Sequence, residues 1–188
     1  MDDTQILSLY ADGNEQAVAE SEAKYGAFCA RIARNILDNS HEADVCVHDA
    51  LTEAQPASTT SDLEIFLGKA TRDLAIGRFK AQKTAKRGNS LFLSTLDELN
   101  ECIPAGSTGF GSGFDEDTEA AKVGACINRF LRKLSHEARD IFICRYFYSD
   151  SIGEITSRFG LSEKRVTGIL RRTRGKLKKF LESEGIRL

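Results

Sequence analysis

Residues 151–181 read SIGEITSRFGLSEKRVTGILRRTRGKLKKFL, and this stretch contains the signals that decide the fold. Ser151 and Glu154 stand three positions apart, which is the spacing of a capping box at the start of a helix. Gly160 suits a left-handed turn that ends this helix, and Ser162 can cap a second, longer helix. Two capped helices joined by a short turn with glycine predict a helix-turn-helix.

The second of these helices has an apolar side and a basic side. Helical spacing places five residues inward: Val166, Ile169, Leu170, Thr173 and Leu177. We expect the other side to contact DNA, because a helix fits the major groove and its flanking Lys and Arg side chains can bind phosphates. The candidate DNA-binding residues here are Ser162, Lys164, Arg165, Thr167, Arg171, Arg172 and Arg174. A merely solvated basic face is the alternative, but the caps and the glycine turn favour a recognition helix.

The charge of the chain is divided between two parts of opposite sign. Residues 1–127 hold 11 Lys or Arg and 21 Asp or Glu, whereas residues 128–188 hold 15 and 7. A basic part suits nucleic acid, and the acidic part suggests a second partner of different character. The composition is that of a soluble protein with only two prolines, which favours an all-α fold.

Upstream of the helix-turn-helix, apolar spacing predicts two helices over residues 14–37 and 41–54. A capping box formed by Ser61 and Glu64 is expected to begin a third helix. The glycine-rich residues 104–117 have no helical period and are typical of a tether. We therefore predict two small helical domains, residues 1–90 and 118–188, joined by a flexible linker over residues 91–117.

The sequence contains no motif that indicates catalysis. It lacks the P-loop, the GxSxG elbow and the HExxH motif, so we expect neither an enzyme nor a cofactor. His41, Cys46 and His48 share one predicted helix, but no fourth ligand stands nearby, and we assign no metal site. The five cysteines show no disulfide spacing. Because there is no membrane segment and the first residues are acidic rather than basic, we expect a cytoplasmic protein.

The residues described so far resemble a known family. Residues 131–181, LRKLSHEARDIFICRYFYSDSIGEITSRFGLSEKRVTGILRRTRGKLKKFL, are similar to the promoter-binding C-terminal domain of bacterial RNA polymerase sigma factors. The small extracytoplasmic-function type is the one that they resemble. Residues 14–54 and 66–88 resemble the N-terminal domain of the same family, which also consists of two domains joined by a linker.

The resemblance implies partners and site residues. The chain would be an alternative sigma factor that binds core RNA polymerase and directs promoter-specific initiation on double-stranded promoter DNA. The helix over residues 41–54 would face the polymerase through Glu42, Asp44 and Asp49. Near the minus-10 element the resemblance places Arg72, Arg78, Lys80 and Lys83. It assigns the minus-35 element to Lys164, Arg165, Thr167 and Arg171. Whether an anti-sigma protein is a further partner is left open.

The sequence departs from the family pattern in the segment that should help to melt the promoter. The family usually has an aromatic residue and a proline-containing loop that captures a flipped base, whereas residues 50–60 contain no aromatic side chain. In the following helix, Gly77 and Asp73 replace the family's common Asp and Asn. These departures keep an alternative open, a sigma-like DNA-binding regulator or polymerase-interacting protein that does not melt promoters.

Overall fold

The computed structural model of the protein describes residues 1–37, 39–54, 62–82, 90–104 and 119–186. Within these ranges the secondary structure is helical, without strands, which confirms the all-α prediction. The helices are α1 (Asp3–Ala11), α2 (Gln16–Ile36), α3 (Ser40–Glu53), α4 (Leu63–Gln82), α5 (Ser90–Asn100), α6 (Glu119–Arg132), α7 (His136–Tyr146), α8 (Ile152–Phe159) and α9 (Glu163–Ser183). The chain divides into two compact units, Met1–Asn89 and Ser90–Leu188.

The N-terminal unit is built from α2, α3 and α4, which pack against one another, with α1 added against α2. Asn39 caps the start of α3, because its side chain accepts the backbone N–H of His41 at 2.9 Å. Helices α2 and α4 approach closely at Gly68, where a Cβ would lie only 2.6 Å from the ring of Phe28. A larger residue at this crossing would force the ring of Phe28 to move.

One helix start in this unit was not predicted, and the predicted cap of another lies outside the described residues. Helix α1 was not predicted, although Asp2 and Gln5 form a complete capping box at its start. The start of α4 was assigned to Ser61, which lies outside the described residues; the carboxylate of Asp62 instead accepts the backbone N–H of Ile65 at 3.0 Å. Acidic and amide side chains were given too little weight as caps.

The C-terminal unit shares one apolar core among all five of its helices. Its buried residues include Leu99 and Ile103 near α5, Val123 and Ile127 on α6, Ile141 and Phe142 on α7, Ile155 on α8, and Val166, Leu177 and Leu181 on α9. The core thus holds α9 by one side only and leaves its other side exposed.

The flexible linker predicted over residues 91–117 is corrected in its first part. Residues Ser90–Asn100 form α5, and the side chains of Leu99, Cys102 and Ile103 are buried in the core of the C-terminal unit. The reason is that the apolar residues of LFLSTLDELNECI have helical spacing, so that the segment forms a helix whose apolar side packs on the core of this unit. The remainder of the predicted linker, residues 105–117, lies outside the described residues. No helix in the described ranges is long and apolar enough to cross a membrane.

Candidate nucleic-acid interface

The helix-turn-helix of α8 and α9 has the local geometry that the sequence predicts. Ser151 Oγ accepts the backbone N–H of Glu154 at 3.2 Å, and Glu154 Oε2 accepts the backbone N–H of Ser151 at 2.7 Å. Gly160 ends α8 in the left-handed region with φ +63°. Ser162 then caps α9 by accepting the backbone N–H of Arg165 at 3.4 Å. These bonds fix where α9 begins and how it leaves the turn.

Helix α9 is fixed by one buried side. The residues predicted to face inward, Val166, Ile169, Leu170, Thr173 and Leu177, are all buried. Lys164, Arg165, Thr167, Arg171 and Arg172 are exposed, as is the capping residue Ser162. The exposed side chains can therefore reach a macromolecule without any change in the packing of the helix.

Most cations of α9 have no ion pair within the described residues. This holds for Lys164, Arg171, Arg172, Lys176, Lys178 and Lys179. Like charges three or four residues apart on a helix destabilise it by a few tenths of a kcal/mol, so this arrangement is unfavourable for the free chain. Lys164, Arg171 and Lys178 follow one another at intervals of seven residues and form a row of about 21 Å along one face. Such a row is suited to a polyanion.

Two residues at the start of α9 already have partners. Arg165 forms an ion pair with Glu137 of α7 at 2.9 Å, with both side chains about half exposed at 58% and 45%. An exposed pair of this kind contributes only about 0–1 kcal/mol, so a phosphate or a base edge can replace Glu137. The hydroxyl of Thr167 donates to the backbone oxygen of Glu163 at 2.8 Å, which leaves its lone pairs and methyl group outward.

Arg174 is less exposed than the sequence predicts, and whether it contacts DNA stays a prediction. Its side chain is only 21% exposed, and it donates to Glu98 Oε2 at 3.0 Å and to the hydroxyl of Tyr146 at 2.6 Å. The prediction of an outward Arg174 was wrong, because no local signal in the sequence places α5 beside α9. Helix α5 supplies the carboxylate that holds this guanidinium.

Glu98 is the centre of this polar cluster, which joins α5, α7 and α9. Its other carboxylate oxygen accepts a bond from the buried Arg145 at 2.5 Å, and Tyr146 donates to Glu98 Oε2 at 2.9 Å. Burial would raise the pKa of Glu98, but the hydrogen bond and charge of Arg145, assisted by Tyr146 and Arg174, outweigh burial and lower that pKa. Glu98 is therefore a carboxylate at neutral pH.

Cationic clefts lie on both sides of the exposed face of α9. One cleft of about 330 Å³, between the end of α5 and α9, is lined by Arg171, Arg174, Lys178, Glu101, Cys102 and Gly175. Another, of about 310 Å³, lies against the start of α7 and includes Lys133, Arg172, Lys176 and Glu137. Cationic surfaces that flank an exposed helix match a DNA groove, in which a phosphate backbone runs along each edge.

In the N-terminal unit, two residues assigned to the minus-10 element are engaged internally. Arg72 is 1% exposed, and burial lowers its pKa to about 10, so the assignment of Arg72 to a DNA surface was wrong. Arg78 is half-buried and donates to the backbone oxygen of Glu42 at 3.4 Å and to the carboxylate of Asp49. Lys80 is exposed. Lys83 and residues 55–60 of the melting loop lie outside the described residues.

The acidic residues assigned to polymerase binding lie on α3, but they differ in exposure and in ion pairing. Asp44 is exposed and forms an ion pair with Arg34 at 2.8 Å. Asp49 binds Arg78, and Glu42 is half-buried. Val45, expected on the apolar side, is 40% exposed next to Asp44. The sequence could not separate Val45 from the core positions, because its neighbours Cys46 and Val47 are equally apolar and are buried.

Comparison with known families identifies the helix-turn-helix. Residues 130–179 match the sequence model of sigma-70, region 4. The matched residues begin at the end of α6 and include most of α9. No curated protein matches the chain. The match covers 50 of the 188 residues and shows that this segment of the C-terminal unit is similar to sigma-70 region 4. Helix α5 lies outside the matched residues.

Proposed function

We propose that the chain is an alternative sigma factor of the extracytoplasmic-function type, which binds core RNA polymerase and directs it to specific promoters. The observation that carries this proposal is the exposed cationic face of α9, on which most cations form no ion pair within the described residues, on a helix-turn-helix that matches sigma-70 region 4. Since core polymerase acts in the bacterial cytoplasm, the proposal locates the protein there.

In this proposal α9 enters the major groove of the minus-35 element with its first turns. Lys164, Arg165 and Thr167 are the residues closest to the base edges, since the N-terminal end of a recognition helix reaches deepest. Arg171 and Arg172, further along, contact phosphates. Each neutralised phosphate should steepen the dependence of log K on log salt concentration by about 0.9.

The acidic N-terminal unit supplies the polymerase contact in this proposal. Asp44 is the most accessible of the three acidic residues assigned to polymerase binding, and the exposed Val45 beside it adds an apolar contact. An exposed carboxylate with an adjacent aliphatic side chain suits a protein partner, because the charge guides association and the apolar group contributes affinity. An anti-sigma protein could compete for the same surface.

A second candidate function is favoured by the two engaged arginines of α4. A sigma-like regulator would bind DNA or polymerase without melting promoters. Arg72 is buried and Arg78 is bonded to α3, so neither offers its charge to single-stranded DNA in this arrangement. Of the minus-10 residues within the described ranges, only Lys80 is exposed. This observation supports the second candidate against the first.

Permanganate footprinting separates these two candidates. Core polymerase and the chain are incubated with a library of genomic fragments, and unpaired thymines are mapped by their reactivity. A promoter-melting sigma factor should produce reactive thymines at discrete sites that depend on the chain. Bound fragments without reactive thymines would exclude the first candidate and support the second.

A further inference from the structure

We propose that the cleft between α5 and α9 binds a phosphate of the DNA backbone, in competition with the carboxylate of Glu101. This inference rests on the proposed DNA-binding function and adds to it a site formed by a helix outside the residues that match region 4. The cleft has a volume of about 330 Å³ and is lined by three cations, Arg171, Arg174 and Lys178, and one carboxylate.

The three cations differ in how they are held. Arg171 and Lys178 are exposed and have no ion pair within the described residues. Arg174 is fixed by Glu98 and Tyr146, so its guanidinium contributes a positive charge in a defined position. Two mobile cations beside one fixed cation can enclose an anion without reorganising the core.

The other lining residues leave room for an anion. Burial raises the pKa of Cys102 to about 11, so the thiol is uncharged at neutral pH and does not compete with a phosphate. A Cβ placed at Gly175 would meet no atom within 4 Å, so this wall is open. Glu101 is exposed at the rim and is the one carboxylate among the lining residues.

The cleft is continuous with the DNA-binding face of α9. Arg171 is the middle residue of the row that begins at Lys164, and Lys178 ends that row inside the cleft. The three side chains lie along one face over about 21 Å. A DNA strand that contacts Lys164 and runs along this face would therefore pass Arg171 and reach Lys178. This continuity favours a backbone phosphate over an acidic protein surface, which would have no reason to follow the same row.

The test measures binding of the full chain to a labelled duplex of arbitrary sequence over a range of salt concentrations. Phosphate contacts are independent of sequence, so no promoter is needed. Lys178→Gln should weaken binding several-fold and reduce the salt slope by about 0.9, which corresponds to one lost phosphate contact. Glu101→Gln should strengthen binding several-fold. The increase in affinity caused by Glu101→Gln should be smaller in the Lys178→Gln background than in the unmodified chain, because both residues act on the same anion.

Matched control variants are available on the same unit. Lys122→Gln removes an exposed lysine of α6, and Asp97→Asn removes an exposed carboxylate of α5; neither residue lines the cleft. Both should change affinity much less than the cleft variants. Thermal unfolding of each variant checks that the fold is retained.

The outcomes distinguish this inference from the function on which it rests. If the chain binds the duplex and Lys164→Gln weakens it, while the two cleft variants behave like their controls, the phosphate site is wrong and the DNA-binding function stands. If Lys178→Gln leaves DNA binding intact but weakens binding to core polymerase, the cleft is a protein contact and the proposal is overturned. Absence of any duplex binding by the unmodified chain, both alone and with core polymerase, would contradict both.

Discussion

Glu98 is the residue on which the arrangement of the C-terminal unit depends most. Its carboxylate binds two arginines from different helices, and one of them, Arg145, is 4% exposed. A buried guanidinium that loses its carboxylate keeps its desolvation cost without the compensating attraction. Because α5 carries Glu98, the same contact also holds α5 against α7 and α9.

Replacement of Glu98 should destabilise the C-terminal unit in a pH-dependent way. We expect Glu98→Gln to lower the free energy of unfolding at pH 7 by about 1–3 kcal/mol, the usual range for charged hydrogen bonds. The pKa of Glu98 is lowered from its ordinary 4.5, so its contribution is complete above that pH and is lost as the pH falls through the lowered value. The difference between the two proteins should therefore diminish in acid.

Hydrogen exchange of α7 and α9 amides at pH 7 and at pH 3 to 4 measures this difference within the unit. Asp97→Asn, on the same helix but outside the cluster, is the control and should show little effect at either pH. An equal destabilisation by Glu98→Gln at both pH values would contradict the role of the ionised carboxylate.

Gly160 is a second residue whose identity matters for the DNA-binding surface. Its φ of +63° lies in the left-handed region, which costs a residue with a Cβ about 1–2 kcal/mol. Gly160→Ala should reduce stability by about that amount, and Gly160→Asn by less. Gly124→Ala on α6, where a Cβ meets nothing within 4 Å, should instead stabilise the helix by about 0.5–1 kcal/mol. Denaturant unfolding of the three variants checks the order; equal effects would refute it.

At the level of single residues, the sequence predicts what depends on neighbours in the chain. The caps Asn39, Ser135, Ser151 and Ser162 were predictable because each bonds to a backbone N–H two or three positions away. The burial of Arg72 and the engagement of Arg174 were not, since both depend on helices distant in the sequence. A charged side chain carries no local signal of the partner that will cover it.

At the level of helices, α5 changes the boundary of the DNA-binding unit. The side chains of Leu99 and Ile103 belong to the core that holds α9, although they precede the region-4 match by more than twenty residues. The apolar spacing of residues 91–103 is that of an amphipathic helix, but spacing alone does not identify the surface on which such a helix packs. An amphipathic helix fits many apolar surfaces, and only tertiary contacts select one.

A truncation tests the contribution of α5. We expect a fragment of residues 90–188 to unfold cooperatively and one of residues 119–188 to be less stable by several kcal/mol. The shorter fragment loses two buried aliphatic side chains, each contributing about 1.5–3 kcal/mol, and the carboxylate that pairs with Arg145. Thermal unfolding followed by circular dichroism compares the fragments. Equal stability would mean that α5 is not part of the unit.

At the level of the whole molecule, the chain combines two helical units with separate cores and different charge. The C-terminal unit exposes cations on α9 that form no ion pair with any residue the structure describes, whereas the acidic residues of α3 are partly neutralised by Arg34 and Arg78. The sequence revealed an acidic part over residues 1–127 and a basic part over residues 128–188, because net charge is additive along the chain and needs no tertiary information. This charge boundary does not coincide with the boundary of the units at residue 90, because the acidic residues of α5 belong to the C-terminal unit. The sequence could not show which charges are paired, and that pairing determines which surfaces are available to partners.

Transcription by core polymerase tests the central claim most directly. Core RNA polymerase is incubated with genomic fragments, with or without the chain, and the 5′ ends of the transcripts are mapped. A sigma factor should yield transcripts from discrete start sites only when the chain is present. Lys164→Ala combined with Arg171→Ala on α9 should reduce them strongly, and Lys122→Gln should not. If no fragment shows a start site that depends on the chain, the proposal that this protein directs promoter-specific initiation is contradicted.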